Sequence, residues 1–297
     1  MTIPRHLFAP RLWPTWLGVG LMWVLTRLPR GVCYRIGAGL GLAFYFLAKR
    51  RRHICDVNLR LCLPDLDETE HRTLLKKTMR DQGIGLMEMV RGWFLTVDKL
   101  GVELRITGGE LMEPADGRGV LVVGTHFTSL DICGKLLGER YPADSFYRKH
   151  KNPVLEWVMS RSRGRFGEPI HRRDMKRALR RLRDGHRLLY LPDQDYGRKS
   201  AEFVDFFGVK AATTIGTSTL AKGGRARVVF PAYRRLDHGR AYEINITELE
   251  GFPSGDPAAD ARRINAHLEQ AILNAPEQYI WVHRRFKTRP EGEARVY

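Results

Sequence analysis

The chain has 297 residues, 43% of them hydrophobic, which suffices for one large α/β domain or for a core domain with an added segment. Its 50 Lys and Arg against 33 Asp and Glu leave a formal net charge of +17, so the expected partner is nucleic acid, an anionic membrane surface or a phosphorylated lipid. The four cysteines form no CxxC pair and no histidine cluster has zinc spacing, which argues against a zinc site and favours a reduced, cytosol-facing location.

An uncharged apolar segment at residues 12–26 is followed by a second apolar run at 36–48. The first is shorter than the ~20 residues of a typical membrane span, but flanking arginines and interfacial tryptophans can extend it. The basic block at 49–53 is typical of the cytoplasmic side of a membrane and attracts anionic phospholipid. We therefore predict a membrane-anchoring helix or interfacial segment within residues 1–50, with a buried helix and a cleaved signal peptide as alternatives.

Helical and strand patterns alternate through the remaining chain. Residues 66–94 have a helical pattern with an acidic first turn, which Gly83 and Gly85 are expected to interrupt or kink. The other predicted elements are strands at 102–107, 119–124, 144–150, 186–192, 226–235 and 241–249 and helices at 152–163, 173–185, 213–224, 256–275 and 276–287. This alternation predicts an α/β fold with a mixed, mostly parallel sheet covered by helices on both faces, in one catalytic-sized domain over residues 51–297.

The stretch GVLVVGTHFTSLDICG, residues 119–134, places a histidine and an aspartate just past an apolar strand. Ligands collect at the carboxyl ends of strands in an open α/β sheet. An Asp131 in the first turn of the next helix can accept a hydrogen bond from one nitrogen of His126, leaving the other to take a proton from a substrate hydroxyl. Ser129 lacks the GxSxG elbow of a serine hydrolase. The residues alone are thus compatible with a general-base dyad, but a chance pairing in an ordinary loop stays open.

Four stretches carry a resemblance to a known family: VVGTHFTSLD, LPDQDYGRKS, APEQYIWVHRRFKTRP and RLWPTWLGVGLMW. HxxxxD after an apolar strand is the first motif of the glycerolipid acyltransferase superfamily. The chain more specifically resembles the late acyltransferases of bacterial lipid A biosynthesis, and the lauroyl or palmitoleoyl type more closely than the myristoyl type. The resemblance implies transfer of a fatty acyl chain from acyl carrier protein to a hydroxyl on an acyl chain of the Kdo-bearing lipid A precursor (Kdo2-lipid IVA). It also implies a position on the cytoplasmic side of the bacterial inner membrane, with no cofactor, metal or covalent acyl-enzyme.

The same resemblance assigns expected roles to individual residues. His126 matches the family base and Asp131 its partner. Two further stretches match motifs that bind the acceptor. The arginine of an Ile-x-Arg element is expected to bind the acceptor's phosphate, and the LPDQDYG stretch is expected to help bind the acceptor. The substrate-binding candidates are therefore Arg172, Arg148, Arg163, Asp193, Gln194 and Asp195. Without the resemblance, the arginine-rich run at 161–183 is typical of a solvated helix face and the DQD stretch of a polar turn.

The positive charge also suggests where partners bind. Acyl carrier protein is strongly acidic, so part of the excess, including Arg180 and Arg183, is expected to form its docking surface. Aromatic and basic residues near the C-terminus also suit nucleic acid, but the apolar N-terminal segment favours a membrane, so no nucleic acid is expected. Two alternatives stay open: an acyltransferase for another membrane lipid, either a phospholipid or an aminolipid, and a non-catalytic basic protein that binds membranes or nucleic acid.

Overall fold

The computed structural model describes residues 3–115 and 117–297. The helices in these ranges are α1 Trp13–Leu25, α2 Arg30–Leu47, α3 Lys49–Cys62, α4 Glu68–Phe94, α5 Val97–Leu100, α6 Leu130–Arg140, α7 Pro153–Arg163, α8 Met175–Arg183, α9 Gly216–Gly224 and α10 Pro257–Asn274. The strands are β1 Glu103–Thr107, β2 Val120–Val123, β3 Asp144–Tyr147, β4 Pro169–His171, β5 Arg187–Tyr190, β6 Ala201–Phe206, β7 Val209–Thr214, β8 Arg227–Leu236 and β9 Ala241–Glu248.

Seven of these strands form one mixed sheet in the order β1-β9-β8-β2-β5-β3-β4. Strands β8, β2, β5, β3 and β4 run parallel to one another. At one edge, β9 is antiparallel to β8, and β1 is parallel to β9. The other two strands, β6 and β7, form a separate antiparallel hairpin. The predicted α/β class with a mixed, mostly parallel sheet is confirmed.

Strand β2 lies in the middle of the core. Each of its four residues is at most 3% exposed, and because alternate residues of a strand point to opposite faces, β2 is covered on both sides. This agrees with the continuous apolar run that predicted it. The chain leaving β2 therefore emerges from a fixed position at the carboxyl edge of the sheet.

Helix α4 is unbroken, so the prediction that Gly83 and Gly85 interrupt it is wrong. The glycines instead allow close packing. A Cβ at Gly83 would lie 2.1 Å from the carbonyl oxygen of Gly37 on α2, and one at Gly85 would lie 2.6 Å from the Cβ of Thr128. Helix α4 is thus held against α2 on one side and against the loop after β2 on the other.

The predicted helix at 276–287 is also wrong. The structure has only a 3-10 turn at Pro276–Gln278, followed by irregular chain. The physical reason is that backbone groups here bond across to another segment: the amide of Ile280 donates to the carbonyl of His126 at 3.1 Å, and the amide of Thr128 donates to the carbonyl of Gln278 at 2.8 Å.

The N-terminal helices differ from the expected single anchor. No individual helix in the described ranges is long and apolar enough to cross a membrane, whereas α2 and α3 together meet those criteria with a bend of 93° between them. Helix α1 carries exposed apolar side chains at helical spacing, namely Trp13, Leu17, Leu21 and Val24. Helix α2 packs along α4. The division of the chain into an N-terminal segment, residues 1–50, and a catalytic domain, residues 51–297, stays a prediction.

Candidate active site

Two neighbouring strands end at the predicted site. Val123 at the end of β2 is paired in register with Tyr190 at the end of β5. His126 and Asp193 each lie three residues beyond this pair. Because β2 and β5 are parallel, their carboxyl ends meet at the same edge of the sheet, which brings the two side chains together.

Asp193 holds His126 through two hydrogen bonds, one to the imidazole ring and one to the backbone amide. The Nδ1 of His126 lies 2.6 Å from Oδ1 of Asp193, and the backbone amide of His126 donates to Oδ2 at 2.8 Å. Asp193 is 2% exposed, so its carboxylate has little competition from water. An ionised carboxylate only accepts hydrogen bonds, which places the imidazole proton on Nδ1 and leaves the lone pair on Nε2.

The two groups shift each other's pKa. Burial lowers the pKa of His126, but the charge of Asp193 and the hydrogen bond from Nδ1 outweigh it, so the pKa is raised above its ordinary value. Burial raises the pKa of Asp193, but the charge and the hydrogen bonds of His126 outweigh it, so the pKa is lowered. Asp193 therefore stays ionised wherever His126 titrates.

Asp131 is not the partner of His126, and the predicted pairing is corrected to Asp193. The Oδ1 of Asp131 accepts from Nη2 of Arg163 at 2.7 Å and from Nε1 of Trp93 at 3.4 Å. The reason is its place in the first turn of α6, where it is turned toward α4 and α7. Asp131 lines the same cavity as His126, and a catalytic role for it stays a prediction.

The loop that carries His126 is fastened from the C-terminal side of the chain. Phe127 and Tyr279 form an isolated antiparallel bridge, and their rings meet edge to face with centroids 5.7 Å apart. The amides of His126, Phe127 and Thr128 donate to Asp193, Thr125 and Gln278, respectively. These three amides are thus engaged within the protein and are not free to donate to an oxyanion on the substrate.

A buried ionic network lies behind the same loop. The Nε of Arg235 on β8 donates to Oε1 of Glu88 at 2.7 Å, and its Nη1 pairs with Asp81. The Oγ1 of Thr128 donates to Oδ2 of Asp81 at 2.5 Å and accepts from Nη2 of Arg235 at 3.0 Å. Analysis of the sequence missed this network. An arginine at a buried position of a predicted strand was the available signal, since a buried charge needs a partner.

One cavity of about 1080 Å³ extends from His126. The predicted site residues that line it are His126, Asp131, Arg148, Arg163, Arg172 and Gln194. Arg148 follows β3, Arg172 follows β4, and Arg163 ends α7. Arg148 and Arg172 are exposed, and neither joins an ion pair within the described part of the chain. A cation-rich rim beside an apolar cavity can bind an anionic lipid headgroup and a fatty chain together.

Asp195 lies apart from this lining. Its carboxylate is buried and accepts hydrogen bonds from the amide of Thr288 at 2.6 Å, the hydroxyl of Thr288 at 2.9 Å and the amide of Gly197 at 2.9 Å. The amide of Asp195 donates to Nε2 of His283 at 3.2 Å, and burial lowers the pKa of that imidazole to about 4. The predicted binding residue therefore fastens the C-terminal segment in the structure.

Comparisons with known proteins identify the family that the chain resembles. Residues 2–288 match the family described as bacterial lipid A biosynthesis acyltransferase. The lauroyltransferase of lipid A biosynthesis from Escherichia coli (strain K12) is 40% identical over 292 residues, covering 96% of this chain and 95% of that one. The palmitoleoyltransferase of the same strain is 37% identical over 299 residues, covering 99% and 97%.

A more distant match is a crystal structure of the 1-acyl-sn-glycerophosphate acyltransferase from Thermotoga maritima, which is 14% identical, with a TM-score of 0.37, and covers 79% of this chain and 94% of that one. This likeness is too weak to support the assignment. The family match and the two Escherichia coli relatives do so over nearly the whole chain. The chain belongs to the bacterial lipid A biosynthesis acyltransferase family and is an enzyme of the acyl-transferring class.

Proposed function

We propose that the protein transfers a fatty acyl chain, of lauroyl type, from acyl carrier protein to the hydroxyl of a 3-hydroxyacyl chain on Kdo2-lipid IVA, with His126 as general base. The observation that carries the proposal is the contact of 2.6 Å between His126 and the buried carboxylate of Asp193, on the wall of the 1080 Å³ cavity. A neutral imidazole with its proton fixed on Nδ1 has the form that a general base needs.

The reaction follows from this arrangement. The Nε2 of His126 takes the proton of the acceptor hydroxyl as its oxygen attacks the thioester carbonyl. The carbon–sulfur bond then breaks, and the imidazolium returns the proton to the leaving thiolate of the carrier. Asp193 stabilises the imidazolium by charge and orients the ring by its hydrogen bond with Nδ1, while its second oxygen accepts from the backbone amide of His126. The nucleophile is the substrate's own hydroxyl, so no acyl-enzyme forms.

Three arginines supply positive charge at the cavity. Arg163 is positioned by its ion pair with Asp131 at 2.7 Å, while Arg148 and Arg172 are exposed residues of the cavity lining. A planar guanidinium can donate two parallel hydrogen bonds to a phosphate. We assign Arg172, with Arg148 and Arg163, to the phosphates of the acceptor, and the field of these cations also favours the oxyanion that forms on the thioester.

The exposed apolar face of α1 supports a position at a membrane surface. Leu17 is 78% exposed and Leu21 is 60% exposed on this face, and the basic block at 49–53 lies at the start of α3. An apolar helix face with nearby cations is typical of an interfacial segment on anionic lipid. We place the protein on the cytoplasmic side of the bacterial inner membrane, where an acidic carrier can meet Arg180 and Arg183 on α8.

Product mass tests the acyl transfer. The full-length enzyme is incubated with lauroyl carrier protein and either Kdo2-lipid IVA or a lysophospholipid, and the lipids are analysed by mass spectrometry. We expect one lauroyl addition to Kdo2-lipid IVA, a loss of about 10²–10⁴-fold in kcat for His126→Ala, and little transfer to the phospholipid acceptor. Preferred acylation of the lysophospholipid would assign the enzyme to another lipid, and an active His126→Ala variant would remove the general base from the mechanism.

Sedimentation with vesicles tests the membrane surface separately. We expect Leu17→Asn combined with Leu21→Asn to weaken binding to vesicles that contain anionic phospholipid. The matched control is Leu273→Asn, a change at an exposed leucine of α10, which should bind as the parent does. Equal binding of all three proteins would contradict the role of α1.

A further inference from the structure

We infer that Tyr141 is the stop that limits the length of the acyl chain the cavity accepts. Tyr141 follows the last residue of α6 and lines the cavity that contains His126. It also lines a second cavity of about 420 Å³, whose other walls include Glu110, Glu113 and Arg140. The tyrosine side chain therefore stands between an apolar cavity and a smaller one bordered by charged side chains. The inference rests on the proposed function and deepens it by naming what sets the donor's length.

The apolar part of the cavity runs beside α6. Asp131 lies in the first turn of this helix and Tyr141 ten positions later, which at about 1.5 Å per residue corresponds to roughly 15 Å. Among the residues that line this part are Met112, Leu137 and Leu189. A hydrocarbon chain whose carbonyl is held at His126 fits this buried path, whereas a phosphorylated acceptor fits the arginines at the exposed rim.

The side chain of Tyr141 is held firmly in this position. The residue is 5% exposed, and the guanidinium carbon of Arg187 lies 5.7 Å from the ring centroid. The same arginine donates from Nε to the carbonyl of Met112 at 2.6 Å and from Nη2 to Oε2 of Glu113 at 2.5 Å. A Cβ at Gly109 would lie 2.5 Å from the tyrosine hydroxyl. With contacts on several sides, the ring cannot swing away at low cost to admit a longer chain.

A second position on α6 allows the opposite change. Gly134 lines the cavity between Asp131 and Tyr141, and a Cβ built there meets no atom within 4 Å. A leucine at this position enters open space in the cavity and removes glycine from a helix interior, which favours the helix. Gly134→Leu should therefore shorten the cavity, just as Tyr141→Ala should extend it into the second one.

The test is a competition among donors. Decanoyl, lauroyl, myristoyl and palmitoyl carrier proteins are supplied in equal amounts with Kdo2-lipid IVA, and the added mass gives the preference of each variant. Since one methylene group in a fitted apolar pocket changes specificity by about 10–200-fold, we expect Tyr141→Ala to raise the palmitoyl-to-lauroyl ratio at least about tenfold. Tyr141→Phe keeps the ring and should retain the parent's preference, and Gly134→Leu should shift it toward decanoyl.

The outcomes separate the two proposals. If the parent enzyme acylates no lipid A precursor with any donor, the proposed function fails. If the parent is active but Tyr141→Ala keeps the parent's donor ratios, Tyr141 is not the stop. Should Tyr141→Ala be unfolded by circular dichroism, Gly134→Leu decides alone: a shift toward decanoyl supports a pocket along α6, and unchanged ratios overturn it.

Discussion

Replacing Asp193 with asparagine separates the structure's dyad from the one that the sequence predicts. The change is nearly isosteric, but the amide of asparagine donates where the carboxylate accepted. In the parent, Asp193 accepts from Nδ1 and from the backbone amide of His126. If the asparagine Oδ1 keeps the bond to the backbone amide, its NH₂ faces Nδ1. The imidazole proton then moves to Nε2, where the base needs its lone pair.

The expected loss follows from the role of a general base. Proton transfer by a positioned side chain contributes about 10²–10⁴-fold to the rate, so Asp193→Asn should lower kcat by an amount in this range. The pKa of His126 should also fall, because burial, which lowers it, remains while the charge of Asp193, which raises it, is gone. We expect the acidic limb of kcat/KM in the parent to reflect this raised pKa, so in Asp193→Asn it should move to lower pH.

The matched control is Asp131→Asn, measured with lauroyl carrier protein and Kdo2-lipid IVA over a pH series. Asp131 contacts Arg163 and Trp93, so we expect a change mainly in KM for the acceptor, with the acidic limb close to the parent's. A large fall in kcat for Asp131→Asn, with little effect of Asp193→Asn, would refute the assignment of Asp193 and restore the pairing that HxxxxD suggests.

Two further predictions concern the packing behind the site. Arg235→Met leaves Asp81 and Glu88 buried without their cation, so the free energy of unfolding measured with urea should fall by about 3–5 kcal/mol; a loss below about 1 kcal/mol would show that the network contributes little. Gly83→Ala places a Cβ 2.1 Å from a backbone oxygen of α2 and should cost about 1–3 kcal/mol or more. The control Gly39→Ala, where a Cβ meets nothing within 4 Å, should be neutral or stabilise by about 0.5–1 kcal/mol, and equal effects of the two changes would contradict this account.

The sequence predicted six of the seven strands of the main sheet, all but β4, because their apolar or alternating segments are separated by helical patterns. It failed at β6 and β7, where the strands are half-buried and the turn depends on Phe207 and Gly208 with positive φ. It also failed at 276–287, where helical spacing in the sequence was outweighed by the bridge between Phe127 and Tyr279. At 276–287, pairing with a distant segment decides the conformation, and local spacing does not contain that information.

The sequence predicted both residues of the dyad as candidates but did not predict that they contact each other. His126 and Asp193 were both candidates, yet the five-residue spacing to Asp131 suggested a local partner. The neglected signal was that His126 and Asp193 each lie three residues past the end of an apolar strand. The match matters only if the strands are parallel neighbours in register, and the pairing of Val123 with Tyr190 is a tertiary fact that one sequence does not state.

The contact between His126 and Asp193 affects stability and activity in opposite directions with pH. The pKa of His126 is raised, so its contribution to stability is fully present below its ordinary value of 6.5 and is lost as pH rises through the folded value. The pKa of Asp193 is lowered, so its contribution to stability is present above its ordinary value of 3.8 and is lost as pH falls through the folded value.

Catalysis needs the neutral imidazole, so activity increases over the pH range in which the contribution of His126 to stability is lost. Urea unfolding of the parent between pH 5 and pH 8 should show this loss, and Asp193→Asn should flatten it. Parallel curves for the two proteins would mean that the carboxylate does not hold the proton on His126.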